Sequence, residues 1–329
     1  MTAERAIQTC KRALARLAWL GTLASSCGTL CLAQHGAQWH KAIAVSVTQP
    51  VTLDVHLLDG DLQIAYVHEG EVSIVAQVQP SDGNNVPTDF LCNVLVIEAN
   101  ANKIDIQQRP FEIGRKLNVS YRIDVPYRTE VQSSLSSGKQ MITGVMGPVN
   151  AHTDRGDIHI SYVAKAVSAQ TGTGNVSLEV IGERANVAAR VGNISCGRIA
   201  QGVNAETGDG DISLSVVGPS EAKVRDGGGR IDVGGVRGTL VASTDTGDLH
   251  VKAVPHDNWQ LSSASGAIRI ELPPTSRFDL DVMTNSGELV IGRDDLPKPT
   301  AGGRQLNHGA NGGGKRIKVR SKSGRIVVS

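Results

Sequence analysis

A glycine returns at a nearly fixed interval through the second half of this chain, at Gly138, Gly156, Gly174, Gly192, Gly210, Gly229, Gly247, Gly266, Gly287 and Gly324. Successive spacings are 18, 18, 18, 18, 19, 18, 19, 21 and then 37 residues. A period of this size is the mark of stacked repeats, and it limits the fold more tightly than any other feature.

The residues around each glycine say what kind of repeat it is. Two and four positions later come Ile158 and Ile160, Val176 and Leu178, Ile194 and Cys196, Ile212 and Leu214, Ile231 and Val233, Leu249 and Val251, Ile268 and Ile270, Leu289 and Ile291, and Ile326 and Val328. Alternation of this kind places one row of side chains inside a strand. Seven and five positions before the glycine a second pair recurs, as in Val149 and Ala151, Val167 and Ala169, Val203 and Ala205, Leu240 and Ala242, and Ile317 and Val319. A further apolar position lies seven after it, at Val163, Ile181, Ile199, Val217, Val236 and Val254. Each unit therefore reads as strand, glycine turn, strand, second turn. Eighteen residues leave no room for a crossover helix, so successive units stack in parallel.

The expected fold is all-β, a single-stranded parallel β-helix (β-solenoid) with about 18–19 residues per coil. A lone coil is not viable. Its inward side chains contribute roughly 1.5–3 kcal/mol each when fully buried, against about 1–2 kcal/mol for ordering each residue's backbone. Neighbours must cover both faces of its ladder.

Residues 1–33 read as an export signal. Arg5, Lys11, Arg12 and Arg16 precede a short apolar run, Leu17 to Ala24, too short to span a bilayer, and Cys31-Leu32-Ala33 offers small residues where a signal peptidase cuts. The alternative is a lipoprotein signal with lipidation at Cys27, after Leu23-Ala24-Ser25-Ser26. With the leader removed, Cys92 and Cys196 remain, too few for a metal site by themselves. Cys196 shares the inward position of Leu178 and Leu214, and a Cys92–Cys196 disulfide stays open in an oxidising compartment.

Residues 41–130 are β but less regular, and they read as the first coils and cap of the same solenoid, with a separate β-sandwich as the alternative. Leu53, Val55, Leu57, Gly60, Leu62 and Ile64 reproduce the repeat spacing once. Residues 131–329 are the regular repeats. They are interrupted at 294–314 by a stretch rich in glycine and proline without alternation, read as a surface loop. Lys315 to Ser329 then adds one more strand–turn–strand.

The run Tyr121-Arg122-Ile123-Asp124-Val125-Pro126, the serial Gly-Asp-Ile and Gly-Asn-Val turns, the glycine-rich loop and the final Ser323-Gly324-Arg325-Ile326 together resemble DUF4097, a bacterial adhesin-named family of unknown function, over about residues 45–329. The resemblance implies a β-solenoid and association with the envelope or surface. It supplies no catalytic residues, so no catalytic, cofactor or metal residue is expected. The repeat glycines Gly156, Gly174, Gly192, Gly210, Gly229, Gly247, Gly266, Gly287 and Gly324 are structural turn residues.

Several constellations imitate chemistry. Arg155-Gly156-Asp157 is an Arg-Gly-Asp tripeptide, but Gly156-Asp157 is the repeat turn. Asp209-Gly210-Asp211 and Asp226-Gly227-Gly228-Gly229 resemble calcium turns, whereas those need carboxylates every nine residues. His152, His159, His250 and His256 form no metal triad, and His159 and His250 are five coils apart. The residue after each repeat glycine forms a polar column: Asp157, Asn175, Asn193, Asp211, Arg230, Asp248, Ala267, Glu288 and Arg325. Within this polar ladder Arg230 separates Asp211 from Asp248, so the triple reads as structural rather than as a hydrolase's acid pair.

A net charge of +1 gives no electrostatic argument for nucleic acid or an anionic membrane. The expectation is a non-enzymatic exported protein of the periplasm or cell surface, without cofactors and without a transmembrane helix once matured, whose partner is an envelope protein or a surface polymer. The alternative, a polysaccharide lyase or glycoside hydrolase, rests on fold analogy, and ten aromatics in 329 residues argue against a sugar-stacking cleft.

Overall fold

A computed structural model describes residues 30–33, 39–48, 50–67, 70–80, 94–100, 102–110, 117–300 and 302–329. The proposed lipidation site Cys27, most of the leader and Cys92 lie outside these residues. The fold is a β-solenoid of two long sheets, with 15 and 14 strands among the described residues.

Regular coils run from β9 (Thr129–Ser137) and β10 (Gln140–Thr143) to β23 (Trp259–Ser263) and β24 (Ile268–Glu271). Odd-numbered strands of this run form one sheet, even-numbered strands the other, and all pair in parallel. The register aligns the sequence repeat side chain by side chain. Val149 lies beside Val167, then Ala185, Val203, Ala222, Leu240 and Trp259. On the facing sheet Ile158, Val176, Ile194, Ile212, Ile231, Leu249 and Ile268 form the matching column. All of these are buried, so the core is one continuous apolar seam between the sheets.

The repeat glycine is required by closeness as well as conformation. Gly192 has φ 142°, and a Cβ there would lie inside contact distance of the Gly174 carbonyl. Stacked turns this tight admit no side chain. One apolar position departs from expectation: Val254 is 44% exposed, and the buried residue is Pro255. The extra residue of that 19-residue coil falls in this turn and shifts the inward parity by one.

Both ends of the stack contain a coil inserted out of chain order. Near the start, β3 (Val51–Asp59), Gly60 and β4 (Asp61–Tyr66) make a coil that sits directly on the Gly138 coil. Its other neighbours are β7 (Lys103–Gln108) and β8 (Leu117–Val125), which come later in the chain. Outside them lie antiparallel strands: β1 (Leu30–Ala33), β2 (Trp39–Ser46) and β5 (Glu71–Pro80) on one sheet, β6 (Leu95–Ala99) on the other. Both sheets run without a break from these strands into the repeats.

At the far end, β25 (Phe278–Thr284) and β26 (Leu289–Ile291) do not stack on the Gly266 coil. The last strands, β28 (Lys315–Ser321) and β29 (Ile326–Val328), slot between them. The polar column therefore ends Ala267, Arg325, Glu288, which corrects the chain-order reading. Within 294–314, read as loop, β27 (Gln305–Ala310) is an antiparallel strand on the edge of β25. A terminal strand of reversed direction shields the open parallel edge.

Candidate functional site: an apolar corner of the solenoid

The polar ladder is built from side chain to backbone. Asp157 Oδ1 accepts from Asn175 N (2.7 Å), Asn175 Oδ1 from Asn193 N (2.9 Å), Asn193 Oδ1 from Asp211 N (2.7 Å) and Asp211 Oδ1 from Arg230 N (2.8 Å). Asp248 Oδ1 repeats the bond to Ala267 N (2.8 Å), and Asp61 Oδ1 opens the series on Lys139 N (2.9 Å). A short acceptor at this place satisfies an amide of the next turn, which is why Asp and Asn recur there. The Asp157 of the Arg-Gly-Asp tripeptide is engaged in this way.

The guanidinium of Arg230 does not bridge Asp211 and Asp248, as charge order alone suggests. It pairs with Asp232 two residues on, at 2.8 Å. The strand geometry explains the choice: residues 230 and 232 share the outer face, whereas Asp211 turns its carboxylate to the backbone. Beside them His250 lies between two carboxylates, Asp232 Oδ1 at 3.0 Å and Glu271 Oε1 at 3.2 Å. Lys252 and Arg269 close on the same Glu271 at 3.7 and 4.0 Å. Ser213 is the cross-strand neighbour of Asp232, which in turn neighbours His250. The order serine, aspartate, histidine leaves the serine beside the wrong partner for activation, since a nucleophile must contact the histidine. Among the described residues His159 has one acidic neighbour, Glu179, at 3.8 Å. Among the described residues no group of three or more His, Cys, Asp or Glu is arranged to hold a metal ion.

A buried polar column went unread in the sequence. Three residues before the repeat glycines stand Thr153, Thr171, Thr207, Asp226, Thr244, Ser263, Thr284 and Ser321, all buried, with apolar Leu135 and Ala189 taking the place before Gly138 and Gly192. Thr171 and Thr207 donate to the Gly156 and Gly192 carbonyls of the preceding coils (3.0 and 2.9 Å). Thr244 and Thr284 accept from the Gly247 and Gly287 amides (3.0 and 2.9 Å), and Thr284 also donates to the Gly324 carbonyl of the adjoining coil (3.4 Å). The same register that reveals the apolar columns contains this signal.

Asp226 is the exception in that column. Its Oδ1 accepts from Gly228 N at 3.3 Å, but Oδ2 is buried without a partner. Burial is the main cause of a raised pKa, with the charge of Asp211 adding to it and backbone bonds from Gly227, Gly228 and Gly229 opposing. A carboxyl that titrates higher in the folded than in the unfolded chain stabilises fully below its unfolded pKa, and that contribution is lost as pH rises through the folded pKa. Asp226→Thr, which restores the column, is therefore expected to gain about 1–2 kcal/mol at neutral pH. The gain should shrink on acidification when urea melts of the two proteins are compared. Cys196 is a buried free thiol, its pKa pushed up to about 12 by burial.

One corner of the rod is not filled by structure alone. It is the second turn, where the position six residues after the glycine is occupied by Tyr66, Gly144, Tyr162, Val180, Arg198, Val216, Gly235, Ala253 and Leu272. Nine large apolar side chains are exposed among the described residues. Tyr66, Tyr162, Val180 and Val216 belong to this column, Val254 adjoins it, and Tyr127 packs edge-on against Tyr66 with ring centroids 5.4 Å apart. Six of the nine thus share one edge, so the exposure is organised and not scattered. Towards the Gly266 coil the corner widens into a shallow groove of about 580 Å³, lined by Val216, Val236, Val254, Leu272 and Pro273 and also by Arg237, Lys252, His256 and Glu271. Among the described residues no helix is long and apolar enough to cross a membrane.

A model of the Toastrack DUF4097 family matches residues 95–329. The resemblance drawn from sequence began nearer residue 45, so the Gly60 coil lies outside the matched region. No curated protein matches the chain. Among solved structures it is similar to a "putative lipid binding protein" from Parabacteroides distasonis, with 12% identity, 88% of this chain and 96% of that one covered, and a TM-score of 0.45. It is also similar to a "putative adhesin" from Parabacteroides merdae, with 14% identity, 90% and 98% covered, and a TM-score of 0.39.

Proposed function

The chain belongs to the Toastrack DUF4097 family, and from that premise we propose that it is a non-enzymatic protein of the cell envelope or surface, exported by its leader, whose apolar corner binds an envelope protein or a surface polymer. The observation that carries this reading is the gathering of exposed apolar side chains on one edge of a rigid rod. Exposed apolar surface gathered on one edge, here with the exposed Arg198 between Val180 and Val216, is a usual mark of an interaction site. Asp232, His250 and Glu271 are engaged with one another and with Arg230, Lys252 and Arg269, and the acids of the polar ladder are engaged with backbone amides, which favours binding over catalysis.

Produced in a bacterium with its own leader, the protein is expected to lose roughly its first 33 residues and to leave the cytosol. It should then be retained by an isolated envelope preparation, and Val216→Asp should abolish retention without moving the melting temperature, because Val216 is already 43% exposed. Full-length chain confined to the cytosol, or undiminished retention of the variant, would refute the proposal.

A further inference from the structure

Scarce as aromatics are in this chain, three of its four tyrosines are exposed and lie towards the N-terminal end of the corner. Tyr66 and Tyr127 are each 42% exposed and Tyr162 is 62% exposed. Registers Ala65↔Thr143 and Thr143↔Ser161 place Tyr66, Gly144 and Tyr162 at equivalent points of three consecutive coils. Tyr66 and Tyr162 are therefore two strand spacings apart, about 9–10 Å, with a glycine and no side chain between them. Tyr127 comes from the turn that bypasses the inserted Gly60 coil, and its ring holds that of Tyr66 at an interplanar angle of 62°.

The backbone at Tyr162 shows that the fold did not call for tyrosine. Tyr162 has φ 56°, one of two non-glycine residues with positive φ among those described. The preceding coil makes the same turn with Gly144, at φ 76°, where the conformation costs nothing. A bulky side chain in this left-handed region costs of order 1 kcal/mol or more, and burial does not repay it, since most of the ring is in water. Strain retained at an exposed aromatic points to what the ring contacts outside the molecule.

We propose that Tyr66, Tyr127 and Tyr162 form a platform for a carbohydrate chain, whose sugar rings lay their C–H faces on the tyrosine faces while their hydroxyls stay hydrated. This rests on the surface-binding reading and names its ligand class. Aromatic rings with one polar end suit such a contact, because they offer large rigid area at low entropic cost and tolerate water at the rim. Gly144 adds no side chain between the two outer rings, and a Cβ there would crowd Tyr66 at 3.3 Å.

The test is affinity electrophoresis of the mature protein in gels containing hydroxyethylcellulose, glycol chitin, xylan or soluble starch. At least one polymer should retard the wild type, and Tyr66→Ala and Tyr162→Ala should each weaken that binding tenfold or more. Tyr162→Gly is the discriminating variant. It should lose binding to the same degree while its melting temperature stays level or rises, because glycine relieves the strain. A tyrosine kept for structure alone predicts the reverse, a fall in melting temperature with retardation unchanged, and that result overturns the proposal. Failure of all four polymers to retard a wild-type protein that is exported and retained by the envelope also overturns it, and leaves the surface-binding reading standing. An unexported protein removes that reading itself.

Discussion

Ile194→Asp is expected to cost at least about 3 kcal/mol of stability, and Ser195→Asp, one residue along, under about 1 kcal/mol. Ile194 is 1% exposed between Val176 and Ile212 of the adjoining coils. An aspartate there would lie between two apolar side chains in the buried seam, and a carboxylate so placed must either stay charged at a high desolvation cost or take up a proton. Ser195 lies on the outer face between Ser177 and Ser213. Its replacement brings a charge into water, with no acidic side chain directly opposite. Urea denaturation of both variants reads the difference, and similar midpoints would mean that inside and outside have been exchanged. The contrast is sharp because a strand has a side-chain period of two, so the whole alternation is right or wrong together.

That periodicity made most of the fold legible. A glycine every 18 or 19 residues with apolar pairs at fixed offsets leaves one arrangement that buries every pair, and the parallel registers of the regular coils follow it. The ladder of Asp and Asn after the glycine was legible for the same reason, as a column. What those side chains bond to was not. Charge order suggests that Arg230 neutralises Asp211 and Asp248, but Asp211 spends its carboxylate on a backbone amide and the guanidinium turns to Asp232. The buried Thr and Ser column recurs at one offset but is broken by Leu135, Ala189 and Asp226, and small hydroxyl residues beside a turn look like ordinary loop composition.

The candidate site was hidden for a different reason. Column membership depends on turn length, and the second turn is where the extra residues of longer coils are absorbed, as the exposure of Val254 beside buried Pro255 illustrates. Tyr127 could not be placed near Tyr66 from the repeat, because their contact depends on the inserted coil. Non-local stacking order leaves no trace in spacing.

The inserted coil at the other end supplies the second large effect. Ile326→Asp is expected to strip hydrogen-exchange protection from Phe278–Thr284 and Leu289–Ile291 while leaving the coils from Val149 to Val217 protected. Ile326 is fully buried and stands between Ile268 and Leu289. The Ile268 and Ile326 amides donate to Arg325 O and Glu288 O, each at 2.8 Å, so the Gly287 coil is tied to the rod through β29 and not through β24. Charge supports the same order. Arg320 Nη2 donates to both carboxylate oxygens of Asp281 at 2.7 and 2.8 Å, which holds that carboxyl below the usual range, and Arg325 meets Glu288 at 3.1 Å. In the sequence these acids belong to the strands on one side of the insertion, and residues 296–329 carry eight Lys or Arg and no Asp or Glu. A basic strand is thus drawn in beside acidic ones that were synthesised before it. Repeat stacks lose stability locally, through nearest-neighbour contacts, so a charge in β29 frees whatever lies beyond it. Were the coils stacked in chain order, the Gly324 coil would be outermost, and the same substitution would leave Phe278–Ile291 protected. Exchange rates at those amides decide between the two.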